Sequence, residues 1–312
     1  MENIAIIMGG TSKEKDISLQ SGETIYNKID KSKYNAHRVI CVDNNHFEVL
    51  MSKIRIQIKT DDFSFILKKQ IIKFHKVFMM IHGDPGENGK LCAYFESLNI
   101  PYTSCNEQIS LLTFNKFKCN NKLRELGYKV PQANLYKMSS NIQFPCIVKP
   151  ACSGSSFGIT KAYNNDELIA GIEEANQHDR EVIIEEFIEG REFTCAVFNV
   201  NKIVQTLPIT EIISENDIFD YDAKYNGKSL EETPAKIDSK LKNRIEKISK
   251  KIYQDFNLSG FIRIDFIVKN LSIYIIEINT IPGFSEQSIV PQMLKCANIT
   301  ITQFITTQLE NI

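Results

Sequence analysis

The chain lacks an excess of either charge: 37 lysines and arginines face 38 aspartates and glutamates, a formal net charge of −1. It has no long basic tract and no arginine-rich arm, which argues against a phosphate-facing surface for nucleic acid. It has no uninterrupted apolar run long enough to cross a bilayer. It opens directly on a strand-like run at 4–8, without the basic stretch, apolar stretch and small-residue cleavage site of a secretory signal. Its eight cysteines, at 41, 92, 105, 119, 146, 152, 195 and 296, form no CxxC pair and no regular spacing. That scatter argues against a disulfide framework or a zinc site and suits small hydrophobes in a reducing compartment. The expectation is a soluble, cytoplasmic protein with neither a membrane nor a nucleic-acid partner.

What is present points to α/β and α+β organisation. At 312 residues with 43% hydrophobic content, the chain exceeds what one core usually organises, so two or three subdomains are expected. Residues 3–8 read as an apolar strand ending in Gly9-Gly10, with a helix over 18–29, the start of an α/β unit. A second strand over 77–81 ends at His82 and opens into a glycine loop at 83–89, followed by a helix over 90–98. Ligands in open α/β sheets gather at such strand ends, which puts Glu14 and His82 near a crevice. A histidine there can equally be hydrogen-bonded to a neighbouring loop. Between these units, a strand at 55–58 and a helix within 63–74 are expected.

From about residue 105 the pattern changes. One helix is expected over 109–126, then a strand over 144–150 closed by Pro150, which cannot continue a central ladder. The loop 153–158 is rich in glycine and serine and leads into an extended 159–161, making a hairpin whose tip exposes amides and hydroxyls. Such a tip can wrap phosphates; the plainer alternative is a flexible linker. A helix over 166–177, strands over 192–200 and 203–209, and a long amphipathic helix over 239–256 with apolar Leu241, Ile245, Ile248 and Ile252 follow. The polar stretch 211–229, holding Tyr221, Lys224 and Tyr225, reads as a loop that orders on binding.

The segment 261–282 is the most informative. Runs at 261–268 and 272–278, joined by Lys269-Asn270-Leu271, suit a hairpin. Period two puts Arg263 and Asp265 on one face, and Glu277 and Asn279 on one face of the partner. Ile262, Ile264, Phe266 and Val268 would then oppose Tyr274, Ile276 and Ile278 in a core. Two carboxylates and an amide oxygen converging beside an arginine suit a hard cation such as magnesium, which takes its other ligands from phosphates and water. A plain Arg263–Asp265 ion pair is the alternative.

Seven signatures occur in one order: GGTSKEKDISLQSG at 9–22, HGDPGENG at 82–89, NIPYTS at 99–104, VKPACSGSSFGITK at 148–161, EFTCAV at 192–197, FDYDAKY at 219–225, and RIDF with IIEINTIPG at 263–266 and 275–283. Together they resemble the D-alanine:D-alanine ligase family of the ATP-grasp superfamily over nearly the whole chain. The resemblance implies a three-domain ATP-grasp fold: an N-terminal parallel-sheet domain at 1–108, a central subdomain with the phosphate loop at 109–190, and a C-terminal subdomain with the metal site at 191–312. The implied reaction is ATP-dependent joining of two D-alanines through an acyl phosphate, with release of ADP and phosphate, for peptidoglycan precursor synthesis. A related ligase with other amino-acid specificity and a non-catalytic nucleotide-binding regulator are the alternatives.

By the same resemblance, Lys116 and Lys149 meet the ATP phosphates and Lys224 the terminal one. Ser155 and Ser156 belong to the loop folding over them. Glu185, Glu186, Phe187 and Ile188 form the adenine edge, and Glu192 takes the ribose. Asp265, Glu277 and Asn279 hold two magnesium ions, for which manganese can substitute. Glu14 holds the ammonium of the first D-alanine, with His82 near its carboxylate, and Ser155 and Tyr225 link to Glu14. Arg263 and the Gly283 amide support the oxyanion, while Ser288 and Ile289 meet the second D-alanine. Family members are homodimers. The chain departs from the usual pattern at Asn88, Ser153, Phe114-Asn115 and Glu186, all of which alter charge near the nucleotide.

Overall fold

The fold was analysed in a computed structural model that describes residues 1–138, 142–154, 157–214 and 229–312. The first sheet contains β1 (Glu2–Gly9), β2 (Tyr34–Asp43), β3 (His46–Met51), β4 (Ile54–Gln57) and β7 (Lys76–Met79); β5 (Ser64–Leu67) and β6 (Gln70–Lys73) form a separate hairpin. The spatial order is β4-β3-β2-β1-β7, and β1 runs parallel to both β2 and β7. From Ile4 to Gly9 every residue of β1 is buried, as a strand covered on both faces must be. Helix Lys15–Lys28 lies so close that a Cβ on Gly22 would come 2.7 Å from the Met8 side chain. Gly9 and Gly10, at φ +99° and +94°, supply the left-handed turn between this strand and the helix.

The expected helix within 63–74 is instead the β5–β6 hairpin. Phe65, Ile66, Ile71 and Ile72 favour extended backbone, and Lys68 and Lys69 both take positive φ in the turn. The single helix expected over 109–126 is two, Glu107–Phe114 and Lys116–Glu125, broken at an extended Asn115. The Asn115 side chain accepts from the Lys118 amide at 3.0 Å, a cap that starts the second helix afresh.

The second sheet runs β10-β9-β11-β8, from β8 (Ala133–Leu135), β9 (Cys146–Pro150), β10 (Thr160–Ala162) and β11 (Val182–Glu186). As expected, β9 and β10 are antiparallel across the 153–158 loop. Pro150 does stay within the ladder, opposite Val182, but as the last residue of β9, where a missing N–H is tolerated. Helix Asn165–Asn176 covers this sheet with Leu168, Ile172 and Ala175.

The third sheet comprises β12 (Arg191–Val200), β13 (Ile203–Thr206), β14 (Thr210–Ser214), β15 (Ser229–Glu232), β16 (Phe261–Lys269) and β17 (Ser272–Asn279). Helix Ser239–Asp255 buries Leu241, Ile245 and Ile252 against it, while Ile248 is only partly covered. Asn270 and Leu271, both at positive φ, make the two-residue turn of the β16–β17 hairpin. An aromatic cluster of Phe78, Phe198, Phe261, Phe284 and Phe304 joins this sheet to the first: Phe78 and Phe261 lie 6.3 Å apart and Phe261 and Phe284 5.4 Å. Among the described residues, no helix is long and apolar enough to cross a membrane.

Candidate active site

Register in the β16–β17 hairpin brings the acidic residues together. Asp265 stands opposite Glu277 and Arg263 opposite Asn279, as period two requires. A β-bulge follows at once: Phe266 pairs with Ile275, so Ile276 is the extra residue. The bulge reverses the expected core on β17. Ile273 and Ile275 join Ile278 in the core, whereas Ile276 turns with Glu277 toward a cavity and Tyr274 is only half-buried.

Asp265 accepts from three neighbouring side chains. Arg263 forks onto it with Nε 2.9 Å from Oδ1 and Nη2 2.8 Å from Oδ2, Thr194 donates to Oδ1 at 2.6 Å, and the Asn279 amide donates to Oδ2 at 3.0 Å. The plain Arg263–Asp265 ion pair is therefore real, and its arginine also lines the first of two cavities.

That first cavity, 360 Å³, gathers Glu14, His82, Arg263, Gly283, Ser288 and Ile289, with Glu87 and Gly154. The second, 280 Å³, gathers Lys149, Glu185, Glu186, Phe187, Ile188, Glu192 and Asp265, floored by Ile147, Ile159, Ile267 and Ile276. Lys116 and Glu277 line both. Their side chains form an ion pair at 2.7 Å, and Lys116 also donates to the Ser153 carbonyl at 2.5 Å. Burial works against the Lys116 charge, but the Glu277 and Glu87 carboxylates outweigh it and raise its pKa above the ordinary lysine value. Ser155, Ser156, Lys224 and Tyr225 lie outside the described residues.

In the second cavity, Lys149 and Glu185 form a buried pair at 2.7 Å, and Asn120 donates to the other Glu185 oxygen at 3.3 Å. The carboxylate of Glu185 is thus committed to holding Lys149. Lys161 lies 3.8 Å from the centre of the Phe187 ring, within cation–π range, and was not foreseen.

In the first cavity, His82 is buried and doubly held. Its Nδ1 lies 2.8 Å from the Ile281 carbonyl and its Nε2 3.2 Å from the Ser21 hydroxyl. Burial pushes its pKa down against the opposing pull of Glu14, a shift that favours the neutral ring. The alternative of a histidine bonded to a neighbouring loop therefore holds together with a place on the cavity wall. Glu87, inside the glycine loop, was missed by sequence reasoning. Its Oε2 accepts from the Gly83 amide at 2.8 Å, yet burial, reinforced by Glu14, pushes its carboxyl up to about 8. A carboxyl is easily overlooked in a turn motif read for its glycines.

The unusual residues also find partners. Asn88 donates to Asp84 at 2.5 Å, Glu186 accepts from the Gln132 amide at 2.9 Å, and Asn115 donates to Glu181 at 3.1 Å besides capping its helix.

The donors at the hairpin fit a hard divalent cation. Asp265 and Glu277 are oxygen ligands directly opposed in register, Asn279 spends its amide nitrogen on Asp265, and no sulfur is involved. Among the described residues, no three histidine, cysteine or acidic side chains form a cage. Magnesium is usually held by one or two carboxylates, with phosphate oxygens and water completing its shell.

Two family models together cover almost the whole chain: residues 3–105 match the D-ala D-ala ligase N-terminus and residues 111–310 the D-ala D-ala ligase C-terminus. The D-alanine--D-alanine ligase of Flavobacterium johnsoniae is 40% identical over 99% of both chains, and that of Azobacteroides pseudotrichonymphae is 40% identical over 100% of both. Among solved structures, a D-Ala:D-Ser ligase from Enterococcus faecalis superposes with a TM-score of 0.88 at 30% identity, covering 99% of this chain and 98% of that one. A D-alanine--D-alanine ligase from Bacillus anthracis complexed with ATP gives a TM-score of 0.78 at 28% identity, covering 100% and 98%. With both family models matched in order and curated relatives aligned end to end, the chain belongs to the D-alanine–D-alanine ligase family.

Proposed function

We propose that this protein is an ATP-dependent D-alanine–D-alanine ligase that supplies the dipeptide for peptidoglycan precursors in the cytoplasm, working as a homodimer. The observation that carries the reading is the shared wall. Lys116 and Glu277 line both the polar cavity of Glu14, His82 and Arg263 and the apolar slot of Phe187 and Ile276, which is where a phosphoryl group would pass between them. We assign the chain's three parts as 1–108, 109–190 and 191–312.

The reaction balances as two transfers. A carboxylate oxygen of the first D-alanine attacks the terminal phosphorus of ATP, breaking its bond to ADP and forming an acyl phosphate. The amine of the second D-alanine then attacks the acyl carbon, phosphate leaves with the electrons of the acyl–oxygen bond, and the ammonium proton is lost. Lys116 and Lys149, with Lys224, compensate the phosphate charge as point cations. Ser155 and Ser156 fold over it. The backbone at Glu185, Glu186, Phe187 and Ile188 borders the adenine, and Glu192 takes the ribose. Glu14 holds the first ammonium, linked to Ser155 and Tyr225, with His82 beside the carboxylate. Arg263 and the Gly283 amide face the oxyanion, where preorganised donors contribute most. Ser288 and Ile289 receive the second carboxylate.

Asp265, Glu277 and Asn279 would hold two magnesium ions, whose chemistry is to neutralise and orient phosphate oxygens. Excluding water matters as much, because hydrolysis of the acyl phosphate competes with ligation. The likeness to a D-Ala:D-Ser ligase favours D-serine as the second reading for the acceptor. ADP release with D-alanine, D-serine, L-alanine and D-lactate, with product masses, tests both. D-alanine-dependent ADP and a D-alanyl-D-alanine mass are expected, and nucleotide binding without amino-acid-dependent ADP would overturn the reading.

A further inference from the structure

Ser21 sits wholly buried on helix Lys15–Lys28, a full domain away from the loop after β17, yet it bonds to that loop directly. Its hydroxyl oxygen accepts from the Phe284 amide at 3.0 Å and lies 3.2 Å from His82 Nε2. The other ring nitrogen, Nδ1, lies 2.8 Å from the Ile281 carbonyl. A carbonyl only accepts, so Nδ1 carries the proton; in the neutral ring Nε2 is then an acceptor, and the Ser21 O–H donates to it. Every donor and acceptor in the chain is used once and in one direction. The bonds land at Ile281 and Phe284, on either side of Pro282-Gly283, and the Phe284 ring is itself buried in the aromatic cluster.

We propose that Ser21 is a positioning residue which, through His82, clamps the 281–284 loop at two points and so sets the direction of the Gly283 amide and the seat of Ser288 for the second amino acid. The proposal rests on the ligase reading for its kinetic consequence, but the clamp itself does not. A helix of the N-terminal part thereby governs a subsite formed by the C-terminal part, while making no contact with the nucleotide cavity. The charged groups whose fields reach His82 are Glu14, at the cap of the first helix, and Arg263 from β16.

The test uses the full chain with Ser21→Ala and the near-isosteric Ser21→Cys. Losing one buried hydrogen bond of this kind corresponds to about tenfold. Ser21→Ala is expected to raise KM for the second D-alanine about tenfold and to move KM for ATP less than twofold, with Ser21→Cys between. Equal shifts in both constants, or none, would overturn the proposal, because a merely structural serine loosens both sites alike. Independently of turnover, nitrogen-15 spectra of the histidine rings should show wild-type His82 neutral with its proton on Nδ1. A proton on Nε2 would sink the clamp even if the ligase activity is found. Absence of D-alanine-dependent ADP release in the wild type would sink the ligase reading and leave the spectra to decide the clamp.

Discussion

Lys116 Nζ and Glu277 Oε1 meet at 2.7 Å on the wall common to the two cavities, with the lysine side chain only 9% exposed. A cation and an anion so placed hold each other's charge where the proposed function puts phosphate and metal. Replacing Glu277 with Gln removes a hard ligand while keeping its shape. Turnover is expected to fall at least about a hundredfold, the scale of losing one preorganised electrostatic group. Manganese bound in the presence of nucleotide, counted by electron paramagnetic resonance, should fall with it; unchanged binding would refute the metal assignment.

Gly154 has no room for a side chain. A Cβ there would stand 2.0 Å from Glu14 Oε2, so Gly154→Ala must push the Glu14 carboxylate aside. A misplaced anion holds an ammonium poorly. The expected result is a rise of about tenfold in KM for the first D-alanine, equivalent to about 1.4 kcal/mol, with ATP affinity by calorimetry little changed.

Lys149 and Glu185 are each about 95% buried, and they compensate one another. Lys149→Met leaves a buried carboxylate with only Asn120 for company. Breaking one side of such a pair costs about 3–5 kcal/mol. Denaturant unfolding should show that loss, whereas Lys149→Met together with Glu185→Leu should recover much of it; equal stability of the single and double variants would contradict the pairing.

Glu87 makes stability depend on pH. Burial, then Glu14, raises its folded carboxyl to about 8 from an ordinary value near 4.5. Between those values the native state holds a proton that the unfolded chain has released, so stability falls as pH rises through the window. Glu87→Gln cannot ionise and can still accept from the Gly83 amide. Its melting temperature should fall less than the wild type's between pH 5 and 8.5, and parallel curves would count against a raised Glu87.

Much of the site was legible because strand periodicity is strict. Once 261–269 and 272–279 are strands joined by a two-residue turn, Asp265, Glu277, Arg263 and Asn279 can face only one way. The same rule failed for Tyr274 and Ile276, since one extra residue in β17 reverses every side chain beyond it and leaves no mark in composition. The break at Asn115 was hidden for a related reason. Asparagine is tolerated inside a helix, and only its capping bond to Lys118 shows that the chain turns there.

The hairpin at 63–74 escaped because short apolar runs fit a strand and a buried helix alike, and flanking contacts decide between them. Glu87 and Ser21 escaped because their partners, Glu14 and Phe284, are remote in sequence: Ser21 and Phe284 are 263 positions apart.

By itself, the amino-acid order determined the family and the shared face of Arg263, Asp265, Glu277 and Asn279, since these follow from local spacing and from motifs a few residues long. Tertiary structure alone decided which carboxylate pairs with which lysine, which acid keeps its proton and which hydroxyl tethers the loop beside Gly283. Those outcomes depend on distance and burial between segments that chain connectivity does not place side by side.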